Sequence, residues 1–187
     1  VVNGSIGSNL RDIDFPPNSD SGYCCGDNGT LSIIKSSGVF SMSSGVVGNL
    51  RSISFPSSNL GWACGGGLIL KYEEIWFQQD PPLEGYNSIF MIDDTIGWAV
   101  GSAGVILKTE NGGDSGQWNY QTNPDISRDL NDVFFLNKNE GWTAGSSGVI
   151  LHTTNGGLDW NIILDGWTTN MLRSVQFTSS TNGYILG

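Results

Sequence analysis

Apolar and polar positions along this chain fall in short recurring runs, and no stretch keeps helical spacing over about 11 residues. LRDIDF (10–15), LRSISF (50–55), YNSIFM (86–91), LNDVFF (130–135) and LRSVQF (172–177) share one apolar pattern, with starts 40, 36, 44 and 42 residues apart. Each is followed by Gly-aromatic-x-x-Gly: GYCCG (22–26), GWACG (61–65), GWAVG (97–101), GWTAG (141–145) and GYILG (183–187). Four units continue with GTLSIIK (29–35), GLILK (67–71), GVILKT (104–109) and GVILHT (148–153), and two of them add TENGGDSGQWNYQ (109–121) and TTNGGLDWNIIL (153–164). Clusters of Gly, Asn, Asp, Ser and Pro separate these β-prone runs. Four strands in about 42 residues, repeated, predict an all-β β-propeller of four-stranded antiparallel blades. The repeat units span 9–48, 49–85, 86–129 and 130–171, with incomplete pieces at 1–8 and 172–187. The glycines are expected to let the backbone reverse at strand ends, and the Trp or Tyr beside them to fill the space between blades. The first run of each unit is expected to be the innermost strand. A portion of a longer propeller is the expected arrangement, and a split five-bladed ring is the second.

Composition narrows the function. Eight basic against 18 acidic residues give a net charge of −10, which argues against nonspecific nucleic-acid binding and a membrane-surface role. Seven tryptophans and 38% hydrophobic residues supply enough burial for a folded core. No run is long and apolar enough to be a transmembrane segment, and the first residues lack the features of a signal peptide. Cys24, Cys25 and Cys64, with His152 distant in sequence, match neither a disulfide-dense scaffold nor a zinc site. Buried free thiols are expected, although Cys25 and Cys64 hold equivalent positions and could be bridged if their Cα atoms lay within about 7 Å.

The repeat resembles the photosystem II stability and assembly factor type of propeller, Gly-Trp-x-x-Gly-x-x-Gly-x-Ile-x-x-Thr-x-Asp-Gly-Gly-x-x-Trp, related to BNR or Asp-box repeats. The likeness is closest over 86–164. Thr153, Asn155, Gly157 and Trp160 fit the Asp-box pattern with Asn in the Asp position, and Thr109, Asn111, Gly113 and Trp118 fit it with a two-residue insertion. The first two units carry KSSGVFSM and KYEEIWFQ in its place. Many secreted and surface proteins use this repeat, so the resemblance implies a fold and a structural box, and a role in photosystem assembly does not follow from the fold.

The position after the first apolar residue of each unit reads Arg11, Arg51, Asn87, Asn131 and Arg173. On inner strands these would ring the mouth of a central channel, where guanidiniums could hold a carboxylate or phosphate. The alternative is pairing with Asp12, Asp14 or Asp132 between blades. The resemblance also raises a sialidase-like enzyme, with an arginine cluster and a Tyr nucleophile. Tyr23 and Tyr184, however, hold the packing position, and Glu73-Glu74 and Asp93-Asp94 sit in turns without positioned partners. His152 stands where Lys71 and Lys108 stand in other units and reads as a surface residue. The DNG turn at 27–29 lacks the ligand spacing of a calcium loop. Trp62, Trp98, Trp118, Trp142 and Trp160 recur at core positions, whereas Trp76 and Trp167 fall in irregular segments and are candidate exposed contacts.

The resulting expectation is a non-enzymatic interaction or ligand-binding scaffold without cofactor, metal or catalytic residues, exported to an extracellular, periplasmic or lumenal site. Its expected partners are a protein or acidic peptide, or a glycan, with no nucleic acid and with homo-oligomerisation as a further option. A structural protein completed by strand exchange with another chain and a sialidase-like propeller are the alternatives.

Overall fold

A computed structural model describes residues 7–124, 126–166 and 168–187. The first sheet contains β1 (Leu10–Asp14), β2 (Gly22–Gly26), β3 (Leu31–Lys35) and β4 (Gly38–Met42). The second has β5 (Ser52–Ser54), β6 (Gly61–Gly65), β7 (Leu68–Glu73) and β8 (Ile75–Gln78). The third has β9 (Tyr86–Met91), β10 (Gly97–Gly101), β11 (Ile106–Thr109) and β12 (Asn119–Tyr120), and the fourth β13 (Leu130–Phe135), β14 (Gly141–Gly145), β15 (Ile150–Thr153) and β16 (Asn161–Leu164). A two-stranded sheet, β17 (Ser174–Phe177) and β18 (Gly183–Leu186), follows. Strands in every sheet pair antiparallel in chain order. The first strand is innermost. A central channel cavity of about 220 Å³ is lined by residues of β1, β5, β9, β13 and β17 alone. The architecture is an arc of β-propeller blades.

Close approach explains the two glycines that bracket the aromatic strand. A Cβ on Gly61 would lie 2.3 Å from the Phe55 ring, and one on Gly145 would lie 2.1 Å from the Asp129 carbonyl oxygen. The backbone at Gly145 is extended, with φ −158°, so space and not chain reversal demands glycine there.

Four apolar clusters form the core, one at each junction between sheets. At each, the first, fourth and sixth residues of one inner strand run meet the aromatic residue of the preceding sheet's second strand. Tyr23 stacks on Phe55 with ring centroids 3.7 Å apart, Trp98 on Phe135 at 3.4 Å and Trp142 on Phe177 at 3.7 Å. Trp62 packs in the cluster that holds Met91 at the corresponding place. Burying one such aromatic side chain stabilises by about 4–6 kcal/mol as an upper figure.

Short side chains then fasten each inner strand to the next. Asp12 accepts from the backbone N–H of Ile53 at 2.9 Å and Asp14 from that of Phe55 at 2.6 Å. Ser54 accepts from Met91 at 3.0 Å and Asp132 from Val175 at 2.8 Å. Asp12 and Asp132 are therefore structural brackets between blades and not the expected partners of the arginines. Burial pushes both carboxyls above their ordinary range, against the lowering effect of these N–H donors.

Several expectations change. Tyr184 is 70% exposed, because no sheet among the described residues packs on the outward face of β17 and β18. On the other outward face, Leu10, Ile13 and Phe15 are about half exposed, whereas Leu50, Ile53 and Phe55 at matching positions are buried. Trp76 is buried at 8% exposure and is not a surface contact. Glu74 turns the chain at φ 70°, which sets Trp76 opposite Tyr72, and the indole packs on Phe55 and Tyr72 at centroid distances of 5.8 and 5.3 Å. Trp167 and residues 1–6 lie outside the described residues. Cys24, Cys25 and Cys64 are free and buried.

Candidate functional site

The structure brings Arg11, Arg51, Asn87, Asn131 and Arg173 around one cavity of about 450 Å³, whose wall Leu10, Asp129 and Met171 complete. A smaller cavity of about 220 Å³ joins this rim to the Asp12, Ser52, Ser88, Asp132 and Ser174 layer beneath it. In the first, third and fourth blades, backbone bulges free the second position to line the mouth. Pairing between β1 and β2 skips from Leu10 to Asp12, that between β13 and β14 from Leu130 to Asp132, and that between β9 and β10 passes over Asn87. The residue left over at each bulge is a rim residue, turned out of the alternation that buries its neighbours.

The five rim side chains are not equivalent. Arg11 Nε donates to Asp27 Oδ1 at 2.5 Å, and Asn9 donates to the other Asp27 oxygen at 3.1 Å. These contacts, led by the guanidinium, hold the Asp27 carboxyl below its ordinary range. Arg51 Nη1 donates to the Asn87 amide oxygen, a neutral acceptor. Asn87 and Asn131 each donate from the amide to the next blade, at Leu130 O (2.9 Å) and Leu172 O (2.8 Å), and so help to fix the rim. The Arg173 guanidinium has no ion-pair or hydrogen-bond partner among the described residues. The rim guanidiniums without a carboxylate partner are therefore Arg51 and Arg173, while Asp129, whose Oδ1 accepts from Ala103 N at 3.0 Å, brings one acid to the same wall. Sequence reasoning missed Asp27, Leu10, Asp129 and Met171. The signal for Asp27 was its place in the turn after the second strand, where other units carry Gly66, Ser102 and Ser146.

Thr153, Asn155, Gly157 and Trp160 form a bracing turn distant in sequence from the rim. Thr153 Oγ1 donates to Asn155 Oδ1 at 3.0 Å and accepts from Gly157 N at 3.0 Å, while Asn155 Oδ1 accepts from Asp159 N at 3.0 Å. Trp160 is buried edge-on against Phe135. The turn also receives the preceding blade: Trp98 Nε1 donates to Gly156 O at 3.1 Å, as Trp62 Nε1 does to Gly112 O at 3.0 Å in the Thr109 turn. His152 is half-buried and not a free surface residue. Its ring stacks on Trp142 at 4.7 Å, where Lys71 and Lys108 lie over Trp62 and Trp98.

Three guanidiniums, two side-chain amides and the Asp129 carboxylate are the polar groups that line the rim cavity. No tyrosine lines either rim cavity. Among the described residues, no group of three or more His, Cys, Asp or Glu converges on a metal position, and no helix is long and apolar enough to cross a membrane. The buried thiols are pushed well above their ordinary range by desolvation, which suppresses the thiolate a nucleophile would need.

Residues 74–166 match the family model described as photosynthesis system II assembly factor YCF48. Among solved structures the chain is similar to YCF48 from Cyanidioschyzon merolae, with TM-score 0.74 and 14% identity over 100% of this chain and 69% of that one. It is also similar to a YCF48 structure bound to D1 peptide (TM-score 0.50, 17% identity, 96% of this chain and 90% of that one). The WD40 β-propeller domain of Doa1 aligns with TM-score 0.67 and 15% identity over 97% of this chain and 62% of that one. At these identities the structural likeness is one of fold. No curated protein matches the chain. Over residues 74–166 the chain matches the photosystem II assembly factor-like propeller repeat, and the blade architecture of the described residues is the one that repeat builds.

Proposed function

We propose that the chain is a non-enzymatic interaction scaffold, acting after export, that captures a short acidic peptide segment or chain terminus at the arginine rim. The observation that carries this reading is the single cavity into which three different sheets each send an arginine. With a net charge of −10, the body of the protein repels extended polyanions, while a short carboxylate-bearing segment meets a mouth where three arginines outnumber the Asp27 and Asp129 carboxylates. One fold relative has been solved with D1 peptide bound, which supports a peptide as the class of ligand. Few lysines with abundant Ser, Asn and Gly suit an exported protein. We take the Thr109 and Thr153 turns as Asp boxes that brace the blades.

Fluorescence polarisation with a labelled acidic peptide tests the reading. Arg51→Ala combined with Arg173→Ala should weaken binding by at least about tenfold, as expected for losing charge-assisted hydrogen bonds. Unchanged affinity in that variant refutes the rim as the binding site. The half-exposed Leu10, Ile13 and Phe15 face favours a second reading, in which another chain packs on the first blade. Concentration-dependent association in sedimentation would support it, and a monomer at all concentrations would remove it.

A further inference from the structure

The turn following the second strand carries Asp27 in the first blade, Gly66 in the second, Ser102 in the third and Ser146 in the fourth. An acid occurs there only once, beside Arg11. Both carboxylate oxygens of Asp27 are engaged, one by the Arg11 guanidinium and one by the Asn9 amide. Arg51 has glycine at the matching turn and turns to a neutral amide oxygen instead. The backbone of the Asp27 turn is held independently of its side chain: Asp27 N donates to Asn9 O at 3.0 Å and Thr30 N donates to Asp27 O at 3.1 Å.

We propose that Asp27 is a resident carboxylate that occupies Arg11 and sets the specificity of the rim. This inference rests on the anion-binding reading above. With Asp27 in place, Arg11 is already neutralised, and the mouth offers Arg51 and Arg173 to a ligand. A third ligand carboxylate has to share Arg11 with Asp27, whose charge both occupies Nε and repels the newcomer, so the site favours sparsely acidic segments over densely acidic ones. Asp27 is a specificity residue that acts through Arg11, and the chemistry it excludes is the same chemistry it supplies.

The test uses two N-acetylated, fluorescein-labelled peptides, one with a terminal carboxylate alone and one with two added glutamate side chains. Asp27→Ser, which installs the residue of the third and fourth blades, should bind the three-carboxylate peptide about tenfold tighter than the unmodified protein does, with a change of under about threefold for the one-carboxylate peptide. Adding Arg11→Ala should abolish that gain, which separates capture by Arg11 from mere removal of a negative charge. No gain in Asp27→Ser, or a gain that persists without Arg11, overturns the proposal. If the unmodified protein binds and loses binding with Arg51→Ala while Asp27→Ser changes nothing, the rim reading stands and the Asp27 inference falls. If only Asp27→Ser binds, the inference stands and the unmodified rim is not an acidic-peptide site. If neither binds, both fall. Circular dichroism identical to that of the unmodified protein confirms that Asp27→Ser is folded.

Discussion

Replacing Trp98 probes the junction between the third and fourth blades. The side chain is fully buried, stacks on Phe135 at 3.4 Å, donates from Nε1 to Gly156 O and lies beneath the Lys108 ammonium at 5.8 Å. Truncation to Ala removes the transfer free energy and opens a cavity, together about 3–5 kcal/mol. Loss of the indole donor adds about 1 kcal/mol, and loss of the cation above the ring about 0.5–1 kcal/mol. These contributions overlap, so about 5 kcal/mol is expected for Trp98→Ala. Trp98→Phe keeps a ring on Phe135 and should cost only about 2 kcal/mol. Urea unfolding followed by the fluorescence of the remaining tryptophans measures both. Because domains carry about 5–15 kcal/mol in total, Trp98→Ala should populate partly unfolded protein before denaturant is added. A loss below about 2 kcal/mol in Trp98→Ala, or equal losses in the two variants, would show that blade stacking does not hold this junction.

Stability should depend on pH through two groups of carboxylates with opposite signs. Burial raises the Asp12 and Asp132 carboxyls above 3.8, so their contribution is complete below about pH 4 and is lost as pH rises through the higher native value. Asp12→Asn should therefore become more stable relative to the unmodified protein as pH increases above 4. Asp93 is opposite. Lys138 and the Thr95 and Ile96 donors outweigh desolvation and hold it below 3.8, so its contribution is present above about pH 4 and is lost in stronger acid. Asp93→Asn should narrow its deficit as pH falls; thermal midpoints between pH 3 and 8 that run in parallel for all three proteins would contradict both assignments. Cys24, Cys25 and Cys64 should stay unlabelled by a thiol reagent in native protein and react fully in urea, and rapid native labelling of Cys25 or Cys64 would show that the first two junctions open.

The blade pattern was readable because its apolar positions face the same surroundings in each unit. Leu50, Leu130 and Leu172 all enter a junction cluster, so selection for the same contact left the same residue type. The inner placement of the first strand could likewise be read from the repeat. Trp76 was misread because Glu73-Glu74 and the Gln-Gln-Asp-Pro-Pro run around it look irregular, although the alternation of exposed Ile75, buried Trp76 and exposed Phe77 is that of a strand. The role of the paired glycines was hidden for another reason. A sequence does not display the Phe55 ring or the Asp129 carbonyl that excludes a Cβ, and glycine in an extended backbone looks like glycine in a turn. The inequality among the rim arginines was the least visible, since it depends on Asp27, 16 residues after Arg11, arriving beside it through strand pairing.

The bulges explain how one repeat can keep its core constant while changing its chemistry. First, fourth and sixth positions are fixed by contact with the preceding blade from the second unit on, and third positions, with Asp14 and Ser54 at the fifth, carry the side chains that fasten inner strands together. The second position, released from alternation by a bulge in the first, third and fourth blades and lying just before the inner strand in the other two units, lines the cavity, and there the repeat varies from Arg to Asn without altering a junction cluster. Asn at that position reaches a carbonyl of the next blade and stiffens the rim, while Arg leaves a charge in the mouth. The rim is thus divided between supports and charged groups. Substituting Arg51 or Arg173 alters guanidiniums of the cavity without removing an apolar contact from any junction cluster, so a loss of peptide binding in those variants would report on the proposed site itself and not on the collapse of its scaffold.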